Sequence, residues 1–394
     1  MSDNDFMVAN TEQSPNEKKS KTENDLHQAQ QNKRQIIYFP YIFLGRVRSV
    51  TFLDVTVRHL EDTLKDIKED DLKAKTQNLM DQNRVFGKPI KGIGIIDIKG
   101  RDGFRPLKPG EENRMRELRT VLFLVGMAKC NIEDGPNVGH LMLTSDNFRI
   151  VFQNFVLDSP YTGYPSGKIV QTSDFGYRIS EITYEKPPYV LKNSFSCDEK
   201  FLKVLEQLRR KSRKTYRLIL RAADAVMNAY TNSDDVSNGS RILELSRAFE
   251  ILFELPEVDQ RKELKEAINK YCTPPGERKR SYLSERLRGK KKYEKGSRQF
   301  MWADRFYVLR NHIIHGENIP HKSYSFYGQP HHHLGLWFFL ISVKKIINES
   351  MGKPIFYDTI KCESDKFVYD NGFLKAATAR VVKEIFKKER GNIH

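Results

Sequence analysis

The run Arg310-Asn311-His312-Ile313-Ile314-His315-Gly316 sets an arginine and a histidine five residues apart in a helix-like segment. Arginine can bind and neutralise a phosphodiester, and histidine can move a proton near neutral pH. The pair is the smallest outfit that cleaves an RNA backbone without a metal ion. No other stretch of the 394 residues reads as chemistry so directly.

A helix from about Phe300 to His315 positions these groups. Trp302, Phe306, Leu309 and Ile313 recur at intervals of 4, 3 and 4 residues and form its buried stripe. Asn311 and His315, four apart, share another face. At about 100° per residue Arg310 lies roughly 140° around from His315, and its long side chain can curl back toward it. Gly316 is a natural C-cap, which puts His315 in the last turn, where the helix dipole attracts a cation. Arginines and histidines also end helices for purely structural reasons, so spacing alone does not decide. His312 reads either as a second participant or as a packing or surface residue.

Around this helix the chain divides by composition. Residues 1–34 are polar, with six acids against five bases, and predict a solvated lead-in. Residues 35–195 predict a β-rich recognition or regulatory domain. Its strand-like runs are Ile36–Phe39, Tyr41–Leu44, Val47–Val57, Gly92–Ile98, Thr120–Val125, His140–Leu143, Arg149–Phe155 and Gly176–Tyr184, with a helix over Leu60–Leu79. Gly92-Ile93-Gly94 lacks a third glycine and sits in an apolar run, so it reads as a closely packed strand rather than a phosphate loop. Tyr161-Thr162-Gly163-Tyr164-Pro165 reads as a recognition loop or a structural turn. Residues 196–394 switch to a helical period, giving an α+β fold class: a β-rich domain followed by a helical bundle. Helices are expected near 200–230, 241–255, 258–271, 278–288, 331–350 and 373–389. The apolar helix at Leu336–Ile341 is expected to be buried on several sides, in part at a dimer interface.

Composition narrows the class. Hydrophobic residues at 39% and charged ones at 30% suit a globular protein, and the longest apolar run, Leu334–Val343, is half a membrane span. Four scattered cysteines without a CxxC pair, and no charged-then-apolar leader, predict a cytoplasmic protein with no zinc site, cofactor or membrane partner. A net charge of +16 suits a phosphate-rich partner. Seven bases and no acid fall between 209 and 221, and Arg210, Arg213, Lys214, Arg217 and Arg221 are read as a basic stripe on one helix. A second basic stretch, 277–298, holds ten bases against three acids and includes Lys290, Lys291 and Lys292 in an expected loop. Both are candidate RNA surfaces that hold phosphates without reading bases, though solvated basic faces look alike. His331-His332-His333 fan out around a helix start and are not read as a metal site.

The segment Phe306–Gly316 resembles the Arg-x4-6-His motif of HEPN domains, in which a polar residue, often Asn, follows the arginine. Tyr307 three residues before Arg310 and the His315-Gly316 ending are similar to the ApeA-like branch. So is Ala248-Phe249-Glu250-Ile251-Leu252-Phe253, about sixty residues upstream. The resemblance covers roughly residues 200–350. It implies a helical HEPN bundle that dimerises, or assembles further, so that two Arg/His pairs share a cleft. It also implies a metal-independent endoribonuclease acting on tRNA or other structured RNA. Arg310 would hold the scissile phosphate, His315 would be general acid or base, and Asn311 would orient the site. Glu250 and His312 are candidates for support. The 2′-hydroxyl would attack and leave a 2′,3′-cyclic phosphate. The biological setting implied is antiviral (phage) defence or a toxin, with a phage-derived trigger or partner protein. Glu317 stands where toxins silenced by a nucleotidyltransferase carry a tyrosine, which argues against that control. The alternative is a catalytically silent HEPN module that binds RNA or dimerises as sensor or scaffold. Degenerate members commonly lose one of the pair, and here both are present.

Overall fold

The computed structural model describes residues 33–360 apart from 43, 45–47, 82, 86–87, 91, 102–103, 135–143, 157–161, 164–168, 171–181, 184–194, 196, 232–235, 278–279, 286–290 and 359. The lead-in therefore lies outside the described residues except for Lys33 and Arg34, which begin β1 (Lys33–Phe39). The expected strand at 140–143, most of that at 176–184, residues 161, 164 and 165 of the candidate recognition loop, and the expected helix at 373–389 also lie outside.

The first half is built on an antiparallel sheet. It uses β1, β2 (Ser49–Phe52), β3 (Val55–His59), β6 (Gly94–Ile98), β7 (Val151–Val156), β8 (Thr162–Gly163) and β9 (Ile169–Val170), in the order β2-β3-β6-β1-β7-β8-β9. α1 (Leu60–Asp66) and α2 (Asp70–Asp81) follow β3, where one helix over 60–79 was expected; the break is at Ile67, whose backbone is extended. A smaller sheet joins β4 (Asn83–Val85), β5 (Lys88–Pro89) and β10 (Ile182–Thr183). β1 shows why the sheet has two dry faces. Alternation sends Ile37 and Phe39 into the main core, and Ile36 and Tyr38 into a second cluster with Leu72 and Met80 of α2. Gly94 belongs to β6, where a Cβ would come 2.9 Å from the Val57 side chain, so close packing explains this glycine.

The strand expected at Thr120–Val125 is instead the middle of α3 (Glu111–Asp134). Val121, Leu122, Phe123, Leu124 and Val125 are all buried because α3 is wedged between the sheet and the later helices. A helix covered on all sides loses its polar face, and its apolar run then looks like a buried strand.

The second half contains α4 (Glu199–Lys211), α5 (Arg213–Ala229), α6 (Asn238–Leu252), α7 (Gln260–Cys272), α8 (Arg298–Ile314) and α9 (His331–Met351). Short polar side chains start three of them. Asp198, Ser237 and Ser297 accept from the backbone N–H groups of Phe201, Ser240 and Phe300 at 2.9, 3.0 and 3.1 Å. The single basic helix expected near 200–230 is two helices, parted at Ser212, whose backbone leaves the helical region. The helix expected at 278–288 and the loop after it form a β-hairpin, β11 (Arg280–Glu285) paired with β12 (Lys291–Gly296). A second, very short hairpin, β13 (Ser325–Phe326) with β14 (Gln329–Pro330), leads into α9.

α9 is the centre of the bundle. Leu336–Ile341 are buried within this one chain, so the sequence-based expectation that they reach a dimer interface is not met: they leave no face for a second copy. Phe249 of α6 knits the bundle together, lying edge-on to Trp302, Phe306 and Phe339 at 5.9, 6.0 and 6.3 Å.

The architecture is α+β, as composition and periodicity suggested. The boundary expected near 195 is crossed by a continuous hydrophobic core running from Ile37 through α3 to α9. Polar ties cross it too. Thr120 donates to Asp224 at 2.6 Å, and Glu117 accepts from Arg209 and Tyr216 at 2.8 and 2.6 Å. Among the described residues no helix is long and apolar enough to cross a membrane.

Candidate functional site

α8 carries the Arg/His motif much as its spacing required. Trp302, Phe306 and Leu309 are buried, and Ile313 packs against the same core. The helix ends in a closed C-terminal turn. His315 is the C-cap, and Gly316 adopts φ +67°. The Gly316 N–H donates to the Ile313 carbonyl at 3.1 Å and the Glu317 N–H to the His312 carbonyl at 3.0 Å. That double bond pattern needs the left-handed conformation glycine adopts freely.

Arg310 is half-buried and precisely held. Its Nη2 lies 3.2 Å from Glu250 Oε1, Nη1 donates to Asn311 Oδ1 at 3.1 Å, and the guanidinium stands 5.4 Å from the Tyr307 ring centre. Glu250 is itself fixed by the Ser246 hydroxyl at 3.0 Å. Burial, opposed by Arg310 and assisted by Glu250, raises the Tyr307 pKa, so the hydroxyl stays protonated and donates to Gln260 at 3.1 Å. Glu250 is thus brought against Arg310 from sixty residues away.

His315 is exposed, and its ring has no hydrogen-bond partner among the described residues. Five residues along a helix separate the two Cα atoms by about 7.5 Å in rise and roughly 140° in angle. The half-exposed Ile314 lies between them on the same side of α8. His312 points elsewhere. Its Nδ1 pairs with the Glu317 carboxylate, and it lines a cavity to which Arg310, Asn311 and His315 contribute nothing.

Comparisons of the chain with protein-family models, with curated proteins and with solved structures find no match.

Of the proposed RNA-binding cations, Arg210 sits on α4, while Arg213, Lys214, Arg217 and Arg221 belong to α5; all five are exposed. Arg213, Arg217 and Arg221 share one face at i, i+4 and i+8. Lys214 reaches Glu254 at 3.1 Å, one turn beyond Glu250. The end of α6 therefore stands between the basic face of α5 and Arg310. Lys290 lies outside the described residues. Lys291 and Lys292 are in β12 rather than a loop, opposite Glu285 and Ser284.

His331, His332 and His333 open α9, with His331 and His333 buried. Among the described residues no cluster of three or more His, Cys, Asp or Glu side chains is placed to hold a metal ion.

Two features escaped the sequence reading. Asp304 of α8 is 1% exposed and accepts from Arg261 at 2.9 Å and Ser284 at 2.7 Å, with Lys265 at 3.2 Å. An aspartate in the run Phe300–Phe306, flanked by core residues, is the available hint. The other is the cavity beside His312, assembled from segments whose proximity no local pattern encodes.

Proposed function

We propose that the chain is a metal-independent endoribonuclease of the HEPN type, acting on tRNA or other structured RNA as a defence effector or toxin. The observation that carries this reading is Arg310, fixed by Glu250 and Asn311 with its side chain 21% exposed. Arg310 would neutralise the scissile phosphate, and His315, open to solvent at the helix end, would transfer the proton. The 2′-hydroxyl would attack, leaving a 2′,3′-cyclic phosphate and a free 5′-hydroxyl. The rise and angle between Arg310 and His315 favour a working site completed by a second chain, with Ile314 in the contact. The exposed cations of α4 and α5 supply the sequence-independent hold on the RNA backbone.

The test is cleavage of total tRNA by purified protein in EDTA, comparing wild type with Arg310→Ala and His315→Ala. Wild type should cut and leave cyclic-phosphate ends, and either substitution should abolish cutting. Cleavage that survives either change, or that needs added metal, overturns the assignment. The Arg310–Glu250 ion pair specifically favours a second reading, because it partly neutralises the arginine: a silent RNA-binding or dimerising module acting as sensor or scaffold. Equal RNA binding by wild type and both variants, with no cyclic-phosphate product, would select it.

A further inference from the structure

The first turn of α7 grips α8 twice. Arg261 Nε donates to Asp304 Oδ1 at 2.9 Å, and Gln260 Oε1 accepts from the Tyr307 hydroxyl at 3.1 Å. The two contacts differ in what lies beyond them. Asp304 is buried among charged partners, whereas Tyr307 is half-buried and the Arg310 guanidinium stands over its ring, 5.4 Å from the centre. Three groups therefore define Arg310. Glu250 and Asn311 hold its Nη2 and Nη1 at 3.2 and 3.1 Å, which sets where its edge points. The ring beneath attracts the cation and limits how far it can swing.

Gln260 reaches the phenol through an unusual connection. α6 closes with Glu254 at φ +47°, and the Leu255 N–H donates to the Glu250 carbonyl at 3.0 Å. α7 opens after Asp259 at φ +61°, whose side chain makes no cap bond. Left-handed backbone is costly for residues other than glycine and persists where the surroundings dictate it. Here Phe253 stacks on Tyr271 at 5.5 Å and Lys214 pairs with Glu254 at 3.1 Å, which ties the end of α6 to α7 and to α5. One connection thus delivers Glu250 to the guanidinium and Gln260 to the ring below it. Burial raises the Tyr307 pKa, so the phenol remains a donor and needs an acceptor. Donation to the Gln260 amide holds the ring in one rotamer, and with it the surface on which the cation rests.

We infer that Gln260 is a positioning residue for Arg310, acting through the Tyr307 hydroxyl to fix the ring over which the guanidinium stands. The role rests on the ribonuclease reading proposed above. Steady-state cleavage of tRNA by the full chain in EDTA tests it. Tyr307→Phe and Gln260→Ala each break the hydrogen bond and keep an aromatic ring under Arg310. Each should lower kcat roughly three- to tenfold, the worth of one hydrogen bond, with KM within about twofold. The double variant should lose no more than about either alone, because both changes break the same bond. Gln260→Glu, which keeps an acceptor, should restore most of kcat. Should Gln260→Ala not fold, Tyr307→Phe decides alone. Unchanged kcat in a variant while wild type cuts, a loss confined to KM, or losses that multiply in the double variant overturn this role and leave the ribonuclease reading standing. A wild type that does not cut overturns that reading and this role with it.

Discussion

Two residues are defined by their partners more than by their type. Arg310 is oriented by Glu250, which in turn leans on Ser246. Under the proposed mechanism Glu250 is a positioning residue, since it touches Arg310 and not the scissile phosphate. Glu250→Ala should lower kcat for RNA cleavage about ten- to a hundred-fold while leaving RNA affinity nearly unchanged, and Glu250→Gln should recover part of it. Steady-state kinetics that show the loss in KM alone would place Glu250 outside this role. His331 illustrates the cost of burying a titratable ring. In the folded chain it takes a proton only near about 3, whereas in the unfolded chain it does so near about 6.5. The unfolded state therefore holds more protons across that window, and stability is lost as pH falls through it. Between pH 6.5 and 5 the loss amounts to about 2 kcal/mol. In His331→Phe, which keeps a ring among Trp302, Phe306 and Phe326, that part of the pH dependence should vanish in denaturant titrations.

At the scale of elements, α8 is pinned on three sides. Its apolar stripe faces Phe249 and α9, and Arg310 is tied to α6. Asp304 joins it to α7 through Arg261 and Lys265, and to the β11–β12 hairpin through Ser284. Asp304→Ala would take from the largely buried Lys265 one of its two carboxylate partners among the described residues, Asp304 and Glu294, and would remove the Asp304–Arg261 ion pair. Chemical denaturation should show a loss of about 3–5 kcal/mol, and a change below about 1 kcal/mol would mean the network contributes little. The same elements show where sequence reading succeeds. α8, α6 and α9 have strong apolar periodicity or apolar runs long enough for a helix, and their ends carry serine caps or a glycine. The β11–β12 hairpin was missed because its dense charge hides the alternation that marks a strand. Its pairing runs from Arg280 against Gly296 to Glu285 against Lys291.

For the whole molecule, the sheet and the helical bundle share one core, so they should melt together. Both tryptophans, Trp302 and Trp337, lie in the bundle, while Ile37 lies in β1 of the sheet, fully buried in the same core. Ile37→Ala should cost about 2–5 kcal/mol and lower the unfolding midpoint equally by tryptophan fluorescence and by far-ultraviolet circular dichroism. Separate transitions would show that the two halves fold independently. By itself the sequence determined the α+β class, the motif helix with its buried stripe and glycine end, and the strongly basic surface. These follow from local periodicity, capping chemistry and charge, which need only neighbouring residues. Tertiary structure alone decided that α3 is a helix, that Ser212 parts the basic residues between two helices, and that α9 is consumed inside the chain. It also brought Glu250 to Arg310 and set His331 unpartnered against a cavity. The physical reason is common to all five: burial and pairing depend on what packs from elsewhere in the chain, and those energies outweigh local preference.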